Sequence, residues 1–77
     1  MDIGVVYNFT GNPGDGDLVA LNSIETLVEN GYSVYLYTSM PKGIWRAIWY
    51  FNKDSEIFRN VAIKRVEIPG IKHPFSI

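Results

Sequence analysis

The sequence predicts a small α/β domain: a three-stranded parallel βαβαβ unit forming half of a Rossmann-like doubly wound sheet, with strand order 3-2-1. Three observations lead there. Apolar, β-branched runs recur along the chain; one strongly amphipathic helix separates the first two of them; and clusters of Gly, Pro, Asn and Asp break the chain between these segments. Strands alternating with helices over short connections define parallel crossovers, which are right-handed in nearly all cases.

The first strand is Ile3-Gly4-Val5-Val6-Tyr7, ending near Asn8. A loop with Gly11, Pro13, Gly14 and Gly16 follows. In the next segment Ala20, Leu21, Ile24, Leu27 and Val28 share one helical face, while Asn22, Glu25, Thr26, Glu29 and Asn30 cover the other. Asp15 or Asp17 can accept from the free N–H groups of the first turn, and Gly31 sits where a left-handed residue ends a helix. Tyr32-Ser33-Val34-Tyr35-Leu36-Tyr37-Thr38 is the second strand, apolar on both faces as in a parallel strand covered on two sides. After the break Ser39-Met40-Pro41-Lys42-Gly43, a second helix runs over residues 44–52 with apolar residues almost all round it. Residues 56–60 form a helical turn or a loop. Val61-Ala62-Ile63-Lys64-Arg65-Val66-Glu67-Ile68 is the third strand, polar enough for an edge. Residues 1–77 make one domain, with 69–77 as an extended tail.

The 77-residue chain has a hydrophobic fraction of 47%, enough for one core only. It has no cysteine, which excludes disulfides and thiolate metal sites. No basic leader and no apolar stretch of membrane-spanning length is present, so a cytoplasmic setting is expected. A net charge of −1 argues against nucleic acid as a partner. The charge is unevenly placed: residues 1–36 hold five acidic and no basic residues, whereas residues 37–77 hold seven basic and three acidic ones.

The loop Gly11-Asn12-Pro13-Gly14-Asp15-Gly16-Asp17 is either a ligand cradle or a connection needing glycine for its turns. Its spacing is neither G-x-G-x-x-G nor a P-loop, and the second strand ends without the acidic residue that holds a ribose. No dinucleotide and no other cofactor is expected, and no metal. Lone His73 has neither a nucleophile nor a second ligand near it in sequence.

The strand ending at Asn8, the loop Gly14-Asp15-Gly16-Asp17, and the run Gly31-Tyr32-Ser33-Val34-Tyr35-Leu36-Tyr37-Thr38-Ser39 together resemble the opening of the group-one retaining glycosyltransferases. These enzymes have two Rossmann-like domains and move a sugar from a nucleotide-sugar donor. The resemblance covers most of this chain but only the opening part of such an enzyme. It implies that Gly14, Gly16 and Asp17 face the cleft and bind substrate near the donor diphosphate and the acceptor. Asp15 departs from the pattern, standing where the family has glycine, and a carboxylate there would repel a diphosphate unless it points away or caps the helix. The donor domain with its paired glutamates would lie beyond Ile77. The chain is then an N-terminal fragment or one piece of a split transferase, inactive alone and without a catalytic residue of its own.

Two other readings stay open. The chain could be a free-standing module that self-associates, as a homodimer, or binds a partner, because an uncovered first strand and an aromatic second helix are poorly left in water. Trp45 and Trp49, flanked by Lys42, Arg46 and Lys53, could also sit at a membrane surface, or simply pack in the core.

Overall fold

The computed structural model describes residues 1–67. Six elements follow in order: β1 (Asp2–Val6), α1 (Asp15–Glu29), β2 (Ser33–Thr38), α2 (Gly43–Tyr50), α3 (Ser55–Phe58) and β3 (Val61–Arg65). The expected tail, with His73, and the last residue of the expected third strand lie outside the described residues.

The strands form one all-parallel sheet. Ile3 pairs with Val34 and Val5 with Leu36; Val34 pairs in turn with Val61 and Leu36 with Ile63. The expected description, half of a doubly wound sheet with order 3-2-1, is corrected here. The order is sequential, β1-β2-β3, and the sheet winds in a single direction. Winding to both sides requires the order to reverse, because same-handed crossovers progressing one way leave every helix on one face.

Burial follows that arrangement. Val34, Leu36 and Thr38 of β2 are buried, while Tyr35 is half-buried and Ser33 and Tyr37 are exposed. The expectation that β2 is covered on both faces therefore fails. One layer of helices packs on one face. Phe9, Leu21, Ile24, Val34, Leu36, Ile44, Ala47, Ile48, Phe58 and Val61 form the core between them.

Helix ends are set by local chemistry. Gly31 has φ +86° and donates its N–H to Val28 O, while Tyr32 donates to Leu27 O, closing α1 in a Schellman motif. Asn52, at φ +55°, ends α2 the same way: its N–H reaches Trp49 O and that of Lys53 reaches Ile48 O. The side chain of Asp54 accepts from Glu56 N–H at 3.0 Å and starts α3, so residues 55–58 are helix where turn and loop were both open.

The second helix is not apolar all round in its surroundings. Gly43, Ile44, Ala47 and Ile48 are buried, whereas Trp45, Arg46, Trp49 and Tyr50 are exposed. Lys53, half-buried, pairs with Glu25 at 3.1 Å and also donates to Asn22, tying the end of α2 to α1.

Candidate functional site

In an all-parallel sheet the carboxyl ends of the strands share one edge, and ligands of open α/β sheets bind in the crevice outside it. Here that edge gathers the β1–α1 connection, the β2–α2 connection and Arg65 at the end of β3.

Asn8, just past β1, holds the edge together. Its side-chain oxygen accepts from the Thr38 hydroxyl at 3.0 Å and from Ser39 N–H at 2.8 Å. Thr38, fully buried, accepts in turn from Met40 N–H at 3.2 Å, and Val66 N–H donates to Thr38 O at 2.9 Å. The ends of all three strands are thus linked through Thr38. Phe9 turns inward, fully buried, with its ring edge-on to Tyr7 at 4.6 Å. A Cβ on Gly43 would lie 1.6 Å from the Phe9 carbonyl oxygen, so the first turn of α2 rests directly on the β1–α1 backbone.

The three positions singled out from sequence lie at the start of α1 but differ in situation. Gly14 is exposed, precedes the helix in extended conformation, and has open space where a Cβ would stand. Gly16 is exposed too, but a Cβ there would come 3.1 Å from the Tyr7 hydroxyl. Asp17 is buried. Its Oδ1 accepts from the Tyr7 hydroxyl at 2.6 Å and its Oδ2 from Gly14 N–H at 3.3 Å. The carboxylate thus turns back toward the N-terminal end of its own helix. Hydrogen bonding to Asp17, then burial, then the charge of Asp17 push the Tyr7 phenol up to about 12.

This geometry limits the chemistry of the loop. The N-terminus of α1 already receives two carboxylates of the chain, Asp15 and Asp17, in its first turn. A further anion there would meet repulsion. Neutral hydroxyl groups would not, and Asn12, Gly14 and Asp15 are exposed to receive them.

Positive charge lies on the other side of the edge. A 440 Å³ cavity is lined by Ser39, Met40, Pro41, Lys42, Gly43 and Arg65. A hollow of 530 Å³ at the amino end of the strands, between Tyr32, Tyr35 and Asn60, has no charged group among its described lining residues. Among the described residues no cluster of acidic and imidazole groups could hold a metal ion.

Sequence reasoning found the loop but missed Tyr7, Asn8 and Gly43, which shape it. Polar residues directly after two successive strands, Asn8 after β1 and Thr38-Ser39 at the end of β2, were the available signal for the cross-link. Gly43 read only as a breaker.

What fold and site define is a class: a small α/β domain of three parallel strands, layered by helices on one face, with an organised carboxyl edge. Compared with family models, with curated proteins and with solved structures, the chain matches none.

Proposed function

We propose that this chain is the opening α/β segment of a sugar-transferring enzyme of the kind its sequence resembles, the group-one retaining glycosyltransferases, and that it transfers no sugar by itself. The observation that carries the reading is the tied carboxyl edge. Asn8 ties the end of β1 to Thr38 and Ser39 at the end of β2, and Tyr7 holds Asp17 in the first turn of α1, leaving Gly14, Asp15 and Gly16 exposed toward a second domain's cleft. With its anion requirement met by Asp15 and Asp17, the loop suits the hydroxyl groups of an acceptor better than a donor diphosphate.

Two measurements test it. The adjoining coding sequence is expected to carry a second α/β domain with paired glutamates; neighbouring sequence without one removes the proposal. The chain incubated with sugar nucleotides is expected to release no nucleoside diphosphate, and turnover by the chain alone would contradict its dependence on a partner domain.

A second reading, a free-standing module that associates with itself or a partner, is favoured by the sheet face that no described element covers. Val6 is 71% exposed there and Tyr37 36%. Sedimentation of the isolated chain separates the two, since only the module forms a defined oligomer unaided.

A further inference from the structure

The face of α2 turned away from the core is the most apolar exposed surface of the helical layer. Trp45 and Trp49 stand one turn apart on it with Tyr50 beside them, and Trp49 is 79% and Tyr50 59% exposed. Met40, just ahead of the helix, is exposed as well. Contiguous exposed aromatics of this kind mark docking surfaces rather than ordinary solvent contact.

Charge says what docks. From Ser39 to Lys53 the chain carries Lys42, Arg46 and Lys53 and no Asp or Glu. Lys53 is engaged by Glu25. Lys42 and Arg46 are exposed and form no ion pair with any described residue. The five acidic residues of the first 36 positions lie on β1 and α1, and Asp54 and Glu56 lie beyond the end of α2, so α2 and Lys42 before it carry cations and aromatic rings but no carboxylate. Indole and phenol rings favour the headgroup level of a bilayer, and Lys and Arg beside them are drawn to anionic headgroups. No described helix is long and apolar enough to cross a membrane, so contact of this kind is with the surface.

We propose that the outward face of α2, formed by Trp45, Trp49 and Tyr50 with Lys42 and Arg46, docks on the surface of a membrane containing anionic lipid. Aromatic rings enter the headgroup layer, and the two cations meet lipid phosphates. The proposal does not depend on the sugar-transfer reading.

Trp45 and Trp49 are the only tryptophans of the chain, so its indole emission reports this face and nothing else. Phosphatidylcholine vesicles with and without phosphatidylglycerol are the probe. Expected are co-sedimentation and a blue-shifted emission with the anionic vesicles only, both weakened by salt. Trp49→Ser and the double variant Lys42→Glu/Arg46→Glu, all at exposed positions, should keep the native circular dichroism and each bind at least about tenfold more weakly. Three results would overturn the proposal. One is absence of binding to anionic vesicles at low salt; another is binding undiminished in the variants. The third is a blue shift that grows with protein concentration without lipid, alongside a sedimenting dimer, which would assign the face to a second copy.

Discussion

Tyr7 and Asp17 form the most constrained contact of the candidate site. The phenol donates at 2.6 Å to a buried carboxylate, which favours its protonated form and lifts it from 10.0 to about 12. The folded chain therefore holds this proton more tightly than the unfolded one. The resulting stability is fully present below pH 10 and is lost as pH climbs toward 12. Absorbance titration should find one of the five tyrosines ionising late, and Tyr7→Phe should remove that phase. The same substitution leaves Asp17 short of a donor and should cost about 1–3 kcal/mol in urea denaturation at neutral pH. An unchanged midpoint would show that the contact contributes nothing. Gly43 is constrained by space instead. Gly43→Ala places a methyl inside the Phe9 carbonyl and should cost about 3 kcal/mol or more, whereas Gly14→Ala, with open space around it, should change stability by less than about 1 kcal/mol. Thermal denaturation of the pair decides this.

At the scale of elements, legibility followed the range of the forces involved. Both ends of α1 could be read, because a C-terminal Gly31 and acidic residues in the first turn act within a few positions of themselves. Even so, Asp17 does not simply cap the helix as expected: it also reaches Tyr7, ten residues back, across a loop whose path the sequence does not state. The end of α2 depends on Asn52 in the left-handed region. Asn52→Gly should be neutral or stabilising by up to about 1 kcal/mol, and Asn52→Val should destabilise by about 1–2 kcal/mol. Equal stability of the two variants would rule out backbone conformation as what ends this helix. Asn8→Ala should cost about 1–2 kcal/mol, since it unpairs the Thr38 hydroxyl and Ser39 N–H at the carboxyl edge. Amide exchange at Ser39 measures that loss directly.

For the whole molecule the decisive feature is the sheet face that no described element covers. Gly4 leaves room for the Tyr37 ring, whose Cε2 lies 3.1 Å from where a Cβ would be, so the ring lies against β1 and covers part of this face. Val6 remains largely in water beside it. Apolar surface of this kind drives association. On the module reading, sedimentation shows the chain forming dimers as concentration rises, and Val6→Lys shifts it toward monomer without altering its circular dichroism; on the sugar-transfer reading the isolated chain forms no defined oligomer. A monomer at every concentration tested would mean that Tyr35 and Tyr37 screen the face sufficiently on their own.

By itself the sequence determined the elements: where strands and helices run, how α1 ends, and that the strands lie parallel. These depend on side-chain periodicity and on turn residues that act on their own neighbours. Tertiary structure decided which surfaces those elements cover. The tyrosines of β2 carry an apolar body and a polar tip, a pattern that satisfies a buried face and a wetted one equally, so double coverage and single coverage were indistinguishable in the string. The aromatic ring of residues around α2 was equally silent on which side faces water. Only the packing of one helical layer against one face of the sheet placed Ile44, Ala47 and Ile48 inside and Trp45, Trp49 and Tyr50 outside, because a three-stranded sheet wound in one direction has helices for a single face.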